Sequence, residues 1–223
     1  MNEQPVISVR GEALLEVEPE IAIVNVTIEA RDRDRRTVLG RLASRNQHVT
    51  NLIKSHGEAV EKLESGPASV RPDIRDKKAG ERVARYLGQA SVRITVRDFT
   101  VLGELLTSLS EEDLVTVAGP WWALRPDSPV YRDARLAAAR DAMVRAREYA
   151  EAFGGGIGGL IEAADVGLLT SPGEHGPRFR ATAASRATGF SGAPPRVELD
   201  FEPARQTVTA QVEARFAMIM PTS

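Results

Sequence analysis

The chain alternates between two periodicities of hydrophobic residues, and each change of period predicts a new element. From Ile21 to Ala30 the apolar residues occupy every second position, which is typical of a strand with one buried face. A stripe at helical spacing follows and stops near Gly57, which predicts a helix of about 20 residues. Leu63–Ile74 contains two prolines, so we expect an irregular or edge strand there.

The rest of the chain continues this alternation of strands and helices. Asp98 can cap a short helix, and Ser128-Pro129 is a typical start for an alanine-rich helix over Val130–Phe153. The alanines would let this long helix approach a sheet closely. The other predicted strands cover residues 6–10, 82–97, 115–124, 160–168 and 206–218. The order β-β-α-β-β-α-β-α-β-β predicts an α+β protein, with helices packed on antiparallel sheets.

No long linker divides the chain, so we expect residues 1–223 to form a single domain. Residues 170–205 are rich in Gly, Pro, Ser, Ala and Arg. This composition predicts a flexible excursion with little core of its own.

Charge and cysteine content exclude several classes of protein. The chain has 29 basic and 31 acidic residues, which argues against a general nucleic-acid surface and a polybasic membrane anchor. The absence of cysteine removes thiolate nucleophiles, cysteine-ligated zinc and disulfides. The first residues lack the pattern of a signal peptide, and no apolar stretch predicts a membrane span. We therefore expect a cytoplasmic protein.

Two features that suggest cofactor or metal binding have simpler interpretations. Gly154–Gly159 formally contains G-x-G-x-x-G, but a helix precedes it and a strand follows, so we interpret the run as a flexible helix stop. His48 and His56 lie about 80° apart on their helix, which makes a poor ligand pair. His175 falls in the Gly/Pro-rich excursion. We predict no cofactor, no metal site and no catalytic residue.

Trp121 and Trp122 are the only tryptophans, and they are adjacent in a predicted strand. Alternation should send one ring into the core and leave the other on a sheet face. Because tryptophan is enriched in interfaces, the pair is the candidate interface site.

Basic residues form a possible stripe on one strand, at Arg82, Arg85, Arg93 and Arg97. Nucleic-acid binding would require exposed aromatic residues among them, and only Tyr86 qualifies. A solvated face or a salt-bridged surface between subunits is the favoured interpretation. The Arg/Asp run at residues 31–36 is likewise interpreted as a solvated turn.

Several segments, taken in order, resemble the SIMPL-domain family of bacteria. The opening strand and its Gly-Glu turn, the Val-x-Pro-Glu-x-Ala step, the central strand with its Asp cap, the alanine-rich helix ending in Phe-Gly and the closing strand are all similar to the family pattern. These segments are Ile7–Ala13, Val17–Ala22, Gln89–Asp98, Arg132–Gly154 and Gln206–Phe216.

The resemblance implies two intertwined α/β lobes and homo-oligomeric assembly. Relatives include periplasmic immunogenic proteins that look like ring- or channel-shaped multimers, proteins linked to oxidative stress tolerance and one that associates with a pelle-like kinase. No catalytic motif comes with the family. The favoured hypothesis is a non-enzymatic homo-oligomer that acts in stress-related assembly or partner binding. The alternatives are a small-molecule-binding or enzymatic module using the cleft between lobes, and a signalling adaptor for a kinase or another protein.

Overall fold

A computed structural model describes residues 5–74, 83–169 and 201–221 of the chain. The order of strands and helices is the predicted one. The elements are β1 (Val6–Val17), β2 (Ile21–Asp32), α1 (Arg35–Ser55), β3 (Val60–Ile74), β4 (Val83–Val96), α2 (Leu102–Ser110), β5 (Val115–Ala123), α3 (Pro129–Ala152), β6 (Gly156–Ala164) and β7 (Gln206–Ile219). Antiparallel pairing and packed helices confirm the α+β class.

The described residues form two compact units. The central unit consists of β2, α1, β3, β4, α2 and β5, and its sheet has the strand order β3-β4-β2-β5. The terminal unit consists of β1, α3, β6 and β7, and its sheet has the order β1-β7-β6. Strands from the beginning and the end of the sequence therefore share one sheet.

The core of the central unit follows directly from the alternation along its strands. Val24, Val26 and Ile28 of β2 are fully buried, and they pack in one cluster with Ile94 of β4. Four apolar residues of α1 and four leucines of α2 complete the cluster: Val38, Leu42, Val49, Ile53, Leu102, Leu105, Leu106 and Leu109. Both helices thus cover the same face of the sheet.

Side-chain caps fix where the helical segments of the central unit begin. The Asp34 carboxylate accepts a hydrogen bond from Thr37 N at 2.8 Å, which begins α1. Asp98 accepts one from Thr100 N at 3.0 Å and begins the 3₁₀ turn before α2. The Thr100 hydroxyl also donates to Asp98, at 2.7 Å. The bonds from Thr37 N to Asp34 and, first, from the Thr100 hydroxyl to Asp98 favour the charged carboxylates and hold the pKa of each below its usual range.

The terminal unit depends on an unusually close approach between α3 and β1. One side of α3 buries alanines at every fourth position: Ala134, Ala138, Ala142, Ala146 and Ala150. Gly11 of β1 faces this ridge, and a Cβ added to Gly11 would lie 2.0 Å from the Ala138 carbonyl oxygen. It would also lie 2.6 Å from Ala142 N. Neither surface has room for an additional methyl group.

An ion pair on the opposite face of this sheet joins β1 to β7. Arg10 Nη2 donates to Glu213 Oε1 at 2.8 Å, and Gly167 N lies 3.3 Å from Glu213 Oε2. The side chain of Glu213 is only 11% exposed. The hydrogen bond from Arg10 is the main cause that lowers the pKa of Glu213, and it outweighs the opposing effect of burial.

Three predictions about element bounds need correction or extension. The first strand does not stop at Arg10 but runs to Val17, because β7 lies beside it in the sheet. The strand predicted at residues 160–168 is Gly156–Ala164. The predicted excursion lies outside the described residues up to 200, and Phe201 packs against the central core.

The interpretation of Gly154–Gly159 as a flexible helix stop is wrong for most of the run. Gly154 does end α3, in a left-handed conformation with φ of 76°. Gly156, Gly158 and Gly159 instead belong to β6. A Cβ on Gly158 would lie 3.0 Å from the Ala217 carbonyl oxygen, so the missing side chain permits close pairing with β7.

Gly11→Ala should lower the free energy of unfolding by about 1–3 kcal/mol, because the new methyl group collides with the backbone of α3. Gly40→Ala is the matched control: Gly40 lies inside α1 and no atom would come within 4 Å of its Cβ. That variant should be more stable by about 0.5–1 kcal/mol. Urea unfolding followed by circular dichroism measures both, and equal effects would contradict the close packing at Gly11.

Glu213 should make the stability of the protein depend on acid pH. Its folded pKa lies below the ordinary value of 4.5, so its stabilising contribution is full above that value. The contribution disappears as the pH falls through the lowered folded pKa. Glu213→Gln should therefore lose stability at neutral pH and show a shallower decline below pH 4.5.

Urea unfolding at a series of pH values tests this expectation. Glu162→Gln is the control, because the Glu162 pair with Arg215 is longer, at 3.4 Å, and its carboxylate is 49% exposed. An acid profile of Glu213→Gln that superimposes on that of the unsubstituted protein would show that the ion pair makes no such contribution.

Candidate functional site

The two tryptophans lie on β5, an edge strand of the central sheet. Trp122 packs against the core, and its ring meets Phe99 edge-on with centroids 4.8 Å apart. Trp121 is 48% exposed and lies opposite Ile23 in the β2 register. The predicted division between the two faces is confirmed. The role of Trp121 in an interface stays a prediction.

The terminal unit carries a second apolar surface, which we call the β6 edge: Leu160, Ile161 and the uncharged part of β6 around them. Leu160 is 58% and Ile161 55% exposed, although both lie within a strand. Phe153, where α3 ends, and Ile219, which pairs with Gly156, are also exposed. Hydrophobic side chains therefore continue from this edge to the adjacent end of the unit.

Sequence reasoning missed the β6 edge because it took the glycines for a loop. A signal was nevertheless present: residues 152–161 form an uncharged stretch bounded by Glu151 and Glu162. Only the pairing with β7 shows that this stretch is a strand and that it is the last strand of its sheet.

The outer strands of the two sheets differ in how well they resist pairing with another chain. Natural edge strands carry prolines, bulges or charges that block such pairing. β3 contains Pro67 and Pro72 with register shifts, and β5 contains Pro120, which has no N–H to donate. β1 carries charged residues at positions 10, 12 and 16. Among the described strands, β6 has an edge without proline and with a single charge, Glu162, although its register with β7 shifts on either side of Leu160.

The described histidines do not come together. His48 lies on the exposed side of α1, with Nε2 3.0 Å from Glu112 Oε1. His56 terminates α1 through its backbone N–H. His175 lies outside the described residues. In the part of the chain that the structure describes, no three histidine, aspartate or glutamate side chains form a cluster suited to a metal ion.

The arginine stripe on β4 is engaged in contacts within the chain. Arg85 pairs with Asp73 at 2.6 Å, and Arg97 pairs with Glu58 at 2.5 Å. Arg93 donates to Asn25 Oδ1 at 3.3 Å. Arg82 lies outside the described residues. These contacts fit the solvated face for the described members, whose partners lie in the same chain, while the salt-bridged surface between subunits stays a prediction.

Within residues 5–74, 83–169 and 201–221, no helix combines the length and the hydropathy that a membrane span requires.

Among solved structures, a protein provisionally named an amidohydrolase/peptidase from Burkholderia cenocepacia aligns with a TM-score of 0.26 and 14% identity. The alignment covers 61% of this chain and 35% of that one, so the chain spans about a third of its length. A similarity this low says nothing about activity.

Comparison with proteins of known sequence gives a clearer result. Two 26 kDa periplasmic immunogenic proteins, from Brucella melitensis biotype 1 and Brucella abortus strain S19, are each 26% identical to this chain over 186 residues. The match covers 77% of this chain and 71% of each relative. A family model described as SIMPL, a protein of unknown function (DUF541), matches residues 7–216. Since that match covers nearly the whole sequence, the chain belongs to the SIMPL family.

Proposed function

We propose that this SIMPL-family chain works by assembling with copies of itself and that it is not an enzyme. The observation that carries the proposal is the apolar β6 edge, which ends the sheet of the terminal unit without proline and with Glu162 as its single charge.

An outer strand presents a row of backbone N–H and C=O groups that a further strand can satisfy. Two β6 edges related by a twofold axis would pair with each other, since a twofold interface uses the same surface on both copies. The uncharged stretch before Glu162 lets the copies approach without like-charge repulsion. The two three-stranded sheets would then form one continuous sheet. Leu160 and Ile161 of each copy would become less exposed where the two edges meet.

The distribution of perturbed carboxylates supports the non-enzymatic part of the proposal. Catalytic sites tend to gather groups with shifted pKa values. Among the described residues the resolved shifts belong to Asp34, Asp98 and Glu213. The first two begin helices, and the third is held by Arg10 across two strands. Each shift has a structural cause, and the three groups lie in different parts of the fold.

The compartment is a separate question from assembly. Both Brucella relatives are named as periplasmic proteins, which favours the periplasm for this chain as well. The cytoplasmic location expected from the N-terminal sequence has no support from these relatives. Assembly through the β6 edge is compatible with the periplasm and with the cytoplasm, because it involves no cysteine or cofactor.

Ile161→Lys should lower the mass of the assembly, because twofold pairing would bring two lysines together at an edge that now carries apolar side chains. Leu39→Lys is the matched control: Leu39 is similarly exposed, at 50%, but lies on α1. Light scattering at micromolar concentration measures the mass. A monomeric unsubstituted protein would overturn the proposal, and an equal mass for both variants and the unsubstituted protein would exclude the β6 edge.

Trp121→Glu tests the second apolar surface independently. If Trp121 anchors an interface, the charged residue should lower the assembly mass while the core contact between Trp122 and Phe99 is kept. Leu39→Glu is the control for the added charge. An unchanged mass would show that the prediction for Trp121 is wrong, while assembly through β6 would stand on its own result.

A further inference from the structure

An open pocket of about 590 Å³ lies where β2 ends and β4 begins. Its size falls within the range of small-molecule sites. The residues that line it are Arg31, Asp32, Arg33, Ala84 and Arg85. Three arginines thus line one open cavity, and Ala84 is the apolar residue among these five.

The sheet register explains why these arginines converge. Arg31 pairs with Leu87 in the antiparallel register of β2 and β4. Because side chains alternate along a strand, Arg85, two residues from Leu87, lies on the same sheet face as Arg31. Arg33 follows directly after the end of β2. The cavity therefore takes its arginines from two neighbouring strands and from the turn that follows β2.

Carboxylates neutralise only part of this charge. Arg31 pairs with Glu29 at 2.7 Å, and Arg85 pairs with Asp73 at 2.6 Å. Asp32 pairs with Arg41 of α1 at 3.0 Å. For Arg33 the described part of the chain provides no ion-pair or hydrogen-bond partner. Residues 29–45 contain six arginines against three acidic residues, in a chain whose net charge is −2.

The neighbouring helix adds to the excess of positive charge. α1 has four arginines and one lysine but no acidic residue. Arg35 and Arg36 occupy its first turn, where the helix dipole disfavours cations by about 0.3–1 kcal/mol each. Both side chains are exposed, so neither contributes to the core in compensation. Cations at an unfavourable position of the helix are consistent with a binding role for the positive charge beside the pocket.

We propose that this pocket binds a compact, multiply charged phosphate compound of the oligophosphate class. Planar guanidinium groups match phosphate oxygens in two-point hydrogen bonds, which a simple halide cannot form, and three arginines favour a ligand with several negative charges over a monocarboxylate. The exposed ion pairs at Arg31 and Arg85 are each worth about 0–1 kcal/mol, so a ligand with several charges can compete with them.

The lining also argues against a nucleotide base. Base recognition commonly uses an exposed aromatic ring for stacking. Tyr86, the aromatic residue next to Arg85, packs against the central core. The described lining therefore offers charge for phosphate groups and no platform for a base.

Isothermal titration calorimetry with inorganic tripolyphosphate at low ionic strength tests the proposal. Arg33→Gln should weaken binding about tenfold or more, as expected for the loss of a charge-assisted hydrogen bond. Arg135→Gln is the control, because Arg135 is an exposed arginine on α3 in the terminal unit. Thermal unfolding without ligand checks that both variants remain folded.

Each arm of the experiment has a decisive outcome. Saturable binding that is lost in Arg33→Gln and kept in Arg135→Gln supports the site. No binding, or equal weakening in both variants, overturns it. ATP should bind no more tightly than tripolyphosphate, and tighter ATP binding would contradict the absence of base recognition. Short duplex DNA that binds more tightly than tripolyphosphate would replace the proposal with a nucleic-acid surface. None of these results depends on assembly through β6.

Discussion

Helix α3 approaches β1 closely at Gly11, because the glycine and the alanine ridge place nothing larger than a methyl group between the two backbones at that point. Next to this contact the ridge also packs against larger buried side chains, which are Ile7, Val9, Phe216 and Met218. The terminal unit therefore tolerates little change in volume at this contact.

The terminal unit divides its large apolar side chains between core and surface. Ile7, Val9, Phe216 and Met218 pack with the alanines of α3, whereas several others are exposed, on α3 itself and on β6. The central unit divides its residues differently, with a core of Val, Ile and Leu under two helices and prolines or charges in its outer strands. Exposed apolar side chains thus occur on an outer strand of each unit: Leu160 and Ile161 on β6, and Trp121 on β5.

Local periodicity predicted most of the elements, and specific residues explain where it failed. The helix cap at Asp34, the edge strand with Pro67 and the opposite faces of Trp121 and Trp122 depend on neighbours within a few residues, so they could be predicted. The glycines of β6 could not, because glycine is typical of both a helix stop and a closely paired strand. Pairing with Ala217 and Met218 decides between the two.

The sequence by itself determined the order of strands and helices, the buried face of each and the membership of an α+β family, because hydrophobic alternation and caps act over short distances along the chain. Tertiary structure decided which strand became an edge without proline, which arginines share a pocket and which carboxylate is held by an arginine. Arg10 and Glu213 are separated by 203 positions, and no local pattern relates them. Contacts of this kind depend on how strands from both ends of the chain meet in one sheet.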